Sequence, residues 1–195
     1  YGIRDIATLE KLSRYLFSTS GNLFSVNKVA NTLTSAGANA SYATVDNQIS
    51  ALERSFIVYS AQQERMRGKE LLRPQRKFYP VDNGFRNLAT GFNGSDRGAQ
   101  LEGIVFMELQ RRGYDVTIGS LPDGEIDFIA KRGNDKQYIQ VTLNMTEEQT
   151  RERELAPLRR LGDAFPRTVL TLDWHSEGMT DEGIHITNVM DWLCS

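Results

Sequence analysis

The stretch Gly124-Glu125-Ile126-Asp127-Phe128-Ile129-Ala130, followed thirteen positions after Asp127 by Gln140-Val141-Thr142, constrains this chain more than any other. Side chains alternate between the two faces of a strand, so the pattern predicts two neighbouring strands. The first has Glu125 and Asp127 on one face and Ile126, Phe128 and Ala130 on the other. The second has Tyr138, Gln140 and Thr142 on a shared face. Acidic and amide side chains opposed on paired strands have the architecture of a site.

A third contributor lies upstream in Leu101-Glu102-Gly103-Ile104-Val105-Phe106-Met107-Glu108-Leu109. At helical spacing Glu102 falls on the side of Val105, Phe106 and Leu109, a carboxylate on an apolar stripe. A buried carboxylate needs a partner. A Glu on a helix, an Asp on a strand and a Glu-x-Lys position on the next strand resemble the PD-(D/E)xK restriction-endonuclease-like fold over residues 98–172. The resemblance implies a site at which carboxylates hold Mg²⁺ and a lysine positions the attacking water. Two positions depart from it: Gln140 stands where the second acidic ligand is expected and Thr142 where the lysine is expected. A neutral carbonyl and a hydroxyl weaken a site for a hard dication. The expectation is therefore a degenerate site at Glu102, Asp127, Gln140 and Thr142. An active metal-dependent nuclease is the alternative, with Glu102, Asp127 and Glu125 on Mg²⁺ or Mn²⁺ and Lys131 or Lys136 as a displaced lysine. A purely structural pairing of Glu102 and Asp127 with basic or backbone donors stays open.

Charge is distributed unevenly along the chain. Residues 1–91 carry 12 Lys and Arg against 7 Asp and Glu, and the remainder 11 against 18. The two halves are expected to have different electrostatic tasks. Between them, Gly91, Asn93, Gly94, Ser95 and Gly98 punctuate the chain, giving a first domain over 1–91, a linker over 92–97 and a second domain over 98–195.

In the basic half, residues 5–19, 25–35 and 41–55 show helical periodicity, the second opened by a capping serine. Residues 56–59 and 77–81 read as strands joined by a basic excursion. Three helices followed by a hairpin are the order of a winged helix-turn-helix. In such a module the third helix enters the major groove. Tyr42, Asn47 and Gln48 are then candidate base contacts, with Arg65, Arg67, Lys69, Arg73, Arg76 and Lys77 on phosphates. A protein-docking role is the alternative, because the third helix carries Arg54 alone against Asp46 and Glu53.

The acidic half predicts an α/β layer with a mixed sheet, from strands at 114–118, 124–130, 137–143 and 168–172, helices near 99–112 and 147–162, and a final strand and helix within 184–193. The run 147–155 reads as a solvated helical face laced by charge pairs.

Taken together, Leu52-Glu53-Arg54-Ser55-Phe56-Ile57, Lys77-Phe78-Tyr79-Pro80-Val81-Asp82-Asn83-Gly84, the Glu102 segment and Gly124-Glu125-Ile126-Asp127-Phe128 resemble the C-terminal region of prokaryotic AAA-type ATPases. In that family a P-loop ATPase domain precedes this region, and Gln-Val followed by a small residue is common where the nuclease lysine would lie. The resemblance implies an ATPase-associated module whose partners are its own ATPase domain and a DNA or protein ligand. No Gly-x-x-x-x-Gly-Lys-Ser/Thr occurs here, so ATP is expected to bind only the ATPase domain of a longer polypeptide, of which a chain opening on Tyr1 reads as a piece. No cofactor is expected within the chain itself.

His175 and His185 lack ligand spacing, and Ser13, Ser120 and Cys194 lack the surroundings of a nucleophile. A single cysteine excludes an internal disulfide. Without a signal peptide or a membrane-length apolar run, the expected location is the cytoplasm.

Overall fold

The computed structural model describes residues 3, 5–38, 40–65, 75–122 and 124–195, with Arg65 described by its backbone alone. The chain is α/β and forms two compact units, Tyr1–Ala61 with Gln75–Asn93 and Gln62–Pro74 with Gly94–Ser195.

The first unit runs α1 (Ile6–Ser18), β1 (Leu23–Phe24), α2 (Val26–Ser35), α3 (Tyr42–Arg54), the start of β2 (Val58–Arg65), β3 (Arg76–Pro80) and α4 (Asn83–Thr90). Each of the first three helices opens on a side-chain oxygen that accepts a free backbone N–H: Asp5 from Thr8, Ser25 from Lys28 and Ser41 from Thr44. Their apolar stripes converge on one core containing Leu12, Leu16, Val29, Val45, Ile49 and Leu52, joined by Val58 and Phe78 from the strands. Phe24 meets Phe78 edge to face at 5.0 Å, which ties β1 to β3. β1 and β3 are antiparallel, and β3 lies between β1 and β2.

Two local expectations fail here. β2 begins at Val58, not Phe56, because residues 55–57 close α3. Phe56 enters the left-handed region at φ 56° and the Ile57 N–H returns to the Leu52 carbonyl at 3.0 Å. Helix α4 was not anticipated. It starts with Asn83-Gly84, poor helix formers, and rests on an Asp82 cap.

In the second unit a 3₁₀ turn at Gly94–Asp96 leads into α5 (Arg97–Arg111), followed by β4 (Asp115–Leu121), β5 (Gly124–Arg132), β6 (Asp135–Thr142), α6 (Glu148–Arg159), β7 (Arg167–Thr171), β8 (Gly178–Met179), β9 (His185–Asn188) and α7 (Val189–Cys194). The sheet is mixed. β4, β5 and β6 form an antiparallel meander, β7 runs parallel to β6, and β9 runs parallel to β7. Residues 63–65 of β2 pair in parallel with Ile118–Ser120. Leu155 and Leu158 of α6 pack over Ile126, Ile129, Tyr138 and Val169 on one face. Phe106 of α5 packs against Phe128 on the other at 5.8 Å between ring centroids.

The strict alternation expected along β5 breaks at the site. Thr117 opposes Ile129 but Gly119 opposes Ile126, so Asp127 and Phe128 together oppose the single residue Ile118. This is a β-bulge. It explains why Ile126 and Ile129 share one face while Phe128, expected beside Ile126, points to the other. Gly119 makes room for it. A Cβ there would lie 3.0 Å from the Ile126 Cβ and 3.2 Å from the Ile129 Cδ1. Among the described residues no helix is long and apolar enough to cross a membrane.

Candidate functional site

The bulge sits where β5 and β6 part. Their main-chain register runs from Arg132–Asp135 to Phe128–Ile139, and the next opposed residues are Asp127 and Gln140. There the side chains take over the ladder. The Asp127 N–H donates to Gln140 Oε1 at 3.2 Å, and the Val141 N–H donates to Asp127 Oδ2 at 2.8 Å. Each of the two residues satisfies a backbone donor that the parting strands would otherwise leave unpaired.

This exchange fixes the amide of Gln140. A backbone N–H needs an acceptor, so Oε1 must face Asp127. The sequence offered the Gln140 carbonyl as a weak substitute ligand. The fold commits that oxygen to the backbone. Gln140 is 7% exposed and Thr142 8%, and the Thr142 hydroxyl donates to the Asn144 carbonyl at 3.2 Å.

Around this pair opens a cleft of about 770 Å³. Gly98 and Glu102 line it from the first turns of α5, Glu125 and Asp127 from β5, Gln140 to Asn144 from β6 and its exit, and Glu147, Arg153, Glu154, Pro157 and Arg160 from α6 and its flanks. All four residues of the expected degenerate site, and Glu125, therefore meet in one place. The α6 contribution was missed. The run 147–155 reads as a solvated face, yet Glu154 is buried and accepts a hydrogen bond from Arg153 at 2.7 Å. Instead of a ladder of i,i+4 pairs, Arg159 reaches back seven residues to Glu152. The available signal was the Leu155–Leu158 core stripe, which turns Glu154 and Pro157 inward.

No lysine lines the cleft among the described residues. Lys131 is held by Glu64, with Nζ 3.0 and 2.7 Å from its two carboxylate oxygens. Lys136 pairs with Asp163 at 3.3 Å and lies over the rings of Tyr138 and Phe165. Both displaced-lysine candidates are thus engaged at the opposite end of the same strands. There burial raises the Glu64 carboxyl, and the hydrogen bonds from Lys131 and Thr117 outweigh that and hold it below its usual range. Asp163 is likewise raised by burial and more strongly lowered by hydrogen bonds from Tyr138 and Lys136. Burial and Asp163 push the Tyr138 hydroxyl upward. Among the described residues no group of three or more His, Cys, Asp or Glu side chains is arranged to hold a metal ion. His175 and His185 are both exposed.

The proposed nucleic-acid contacts in the first unit separate. Tyr42 and Asn47 are exposed on α3. Gln48 is not: at three residues from Val45 and four from Leu52 it shares their inward face, is 3% exposed, and donates from Nε2 to the Asp5 carbonyl at 3.4 Å. Lys77 is 4% exposed, so its side chain is too buried to reach a phosphate. Arg76 lies 3.6 Å from Asp46 and 3.5 Å from Glu53 and stacks over Phe78. The Arg65 side chain, Arg67, Lys69 and Arg73 lie outside the described residues.

Residues 1–96 match the model of a domain of unknown function, DUF8612. An uncharacterized protein of Haemophilus influenzae is 35% identical over 192 residues, covering 98% of this chain and 47% of that protein. An uncharacterized protein of Methanocaldococcus jannaschii is 26% identical over 159 residues, covering 80% of this chain and 35% of that protein. The chain thus spans half or less of the length of these relatives. No solved structure matches it.

Proposed function

We propose that this chain is a non-catalytic recognition module of a larger prokaryotic AAA-type ATPase, a winged helix followed by a restriction-endonuclease-like domain that has lost its metal chemistry. The order α1-β1-α2-α3-β2-β3 with β1 antiparallel to β3 supports the winged-helix reading. The order α5-β4-β5-β6-α6-β7, with an antiparallel meander and β7 parallel to β6, supports the nuclease-like reading. The relatives are long enough to hold a further domain, as the ATPase assignment requires.

The carrying observation is the reciprocal bond between Asp127 and Gln140. Catalysis by a bound Mg²⁺ needs several oxygen ligands converging on the ion. Here one Asp127 oxygen and the Gln140 carbonyl are used by the backbone. The donor set does not fit a hard dication. Recognition is then left to the cleft in the second unit and to the exposed face of α3 in the first, by Tyr42 and Asn47.

The test is incubation of the chain with Mg²⁺ or Mn²⁺ and plasmid, linear duplex or single-stranded DNA. No cleavage is expected. The convergence of Glu102, Glu125 and Asp127 on one cleft favours the rival metal-dependent nuclease, and cleavage abolished by Asp127→Ala would establish it instead.

A further inference from the structure

Helix α4 of the first unit is inverted. A surface helix ordinarily turns its apolar side chains to the core and its charges to solvent. α4 buries Arg86, 2% exposed, and leaves Phe85 57% and Leu88 87% exposed. Three residues apart, these two share one side of the helix, at the lip of a groove of about 570 Å³ between α4 and α1. Leu9 and Phe17 of α1, Leu52 of α3 and Ile57 give the groove an apolar lining. Ser13 adds no unmet polar group there, because its hydroxyl donates to the Leu9 carbonyl at 2.8 Å. An exposed apolar knob beside an apolar hollow in the same unit marks an interaction surface.

The charges on the rim say what covers it. Glu10 and Arg14, one turn apart on α1, line the groove and are exposed. Glu four residues ahead of Arg is the favoured order for a pair within a helix. No such pair forms, and neither side chain has an ion-pair partner among the described residues. An occupant of the groove must therefore bring a cation to one end and an anion to the other. A wholly apolar ligand would strand both charges, and a uniformly acidic or basic one would oppose one of them. A second copy of the chain meets the requirement by symmetry, because across a two-fold axis one surface is its own partner. Two α1 helices crossing antiparallel about the midpoint of these residues bring Glu10 to the partner's Arg14, twice. The same operation gives each hollow a knob. We infer that the chain forms an isologous dimer through this groove, Leu88 of each copy seating in the groove of the other and Glu10 facing the partner's Arg14. The dimer concerns the first unit alone and stands whether or not the cleft of the second is catalytic.

The experiment is sedimentation velocity of the whole chain across a wide range of concentration, with circular dichroism to confirm that each variant is folded. The mass should rise with concentration from 22.0 kDa toward twice that value. Leu88→Glu places a charge in the apolar contact and should leave a monomer at every concentration. Because Leu88 is almost wholly exposed, the change is tolerated by the folded monomer. Glu10→Arg and Arg14→Glu should each raise the dimer Kd on the order of tenfold, since like charges then meet at two symmetry-related contacts. The two changes combined restore opposite charges across the axis and should return the Kd to that of the unsubstituted chain. A folding defect in either single variant would not be repaired by adding the other, so this rescue keeps the test valid should Leu88→Glu fold poorly. A monomer at every concentration, a dimer indifferent to Leu88→Glu, or a double reversal whose losses add where they should cancel would each overturn the inference. The first of these would leave the groove to a different occupant.

Discussion

The two ends of the β5–β6 pair are built from the same residue types and do opposite things. At the Lys131–Lys136 end each lysine meets a carboxylate, Glu64 or Asp163, and the charges cancel. At the Asp127–Gln140 end the carboxylates gather with no lysine among the described residues, and side chains stitch the backbone where the strands part. The nuclease reading would need lysine and carboxylate together. This chain has both on the same two strands, separated by the length of the ladder. The two ends thus differ not in composition but in the register at which the charges fall.

The sharpest way to break this comparison is to remove what aims Asp127. Phe128, the second residue of the bulge, is fully buried against Phe106. Phe128→Ala should cost about 3–5 kcal/mol in a urea titration. Lys131→Ala at the other end should cost under ~1 kcal/mol, since Lys131 and Glu64 are each more than a third exposed. Equal costs would mean that the two ends are equally structural.

Next in size is Asp127→Ala. It leaves the Val141 N–H without its acceptor, an expected loss of about 1–3 kcal/mol. A catalytic carboxylate held among like charges behaves otherwise, and its removal leaves stability level or raised. A double-mutant cycle with Gln140→Ala should be non-additive, because the two side chains close one exchange of hydrogen bonds. Additive costs would show that the ladder is held by other groups.

Acid separates the ends further. Glu64 and Asp163 have folded-state pKa values below their usual 4.5 and 3.8. A depressed carboxyl contributes stability that is complete above the unfolded value and is lost as pH falls through the folded one. Stability should therefore fall below about pH 4.5, and Lys131→Met, which removes Glu64's main partner, should flatten that limb. An unchanged pH profile in Lys131→Met would place the acid sensitivity elsewhere, for instance at Glu108, which Arg111 and Arg112 hold at about 2.

Much of this was legible in the sequence, and the exceptions have physical causes. Helices α1 to α3 were marked by periodic apolar residues, and α2 also by Ser25, because capping is local chemistry. The meeting of Glu102, Asp127 and Gln140 was legible because one apolar helix and two alternating strands leave few ways to pack. The bulge was not, since one extra residue in β5 leaves no mark on the strand's own composition and depends on Gly119 across the ladder. The partner of the Gln140 amide oxygen was not legible for a related reason: it is a backbone N–H on another strand. Gln48 is a plainer lesson, because its spacing from Val45 and Leu52 placed it inward and its polarity argued it outward. Tertiary position prevailed once Nε2 found the Asp5 carbonyl.

The smallest expected effect tests whether the first unit differs from the cleft in what it recognises. If the exposed face of α3 meets DNA, Asn47→Ala should lower affinity for a preferred duplex while leaving folding within about 0.5 kcal/mol, because it is a surface position. The salt dependence of binding counts the cations that reach phosphates. Lys77 is buried and Arg76 is shared between Asp46 and Glu53, so Lys77→Met and Arg76→Met should leave that slope unchanged within the error of one contact. A slope reduced by about one unit in Lys77→Met would mean that β3 opens on DNA binding, and that the first unit is remodelled by its ligand while the cleft of the second is preformed.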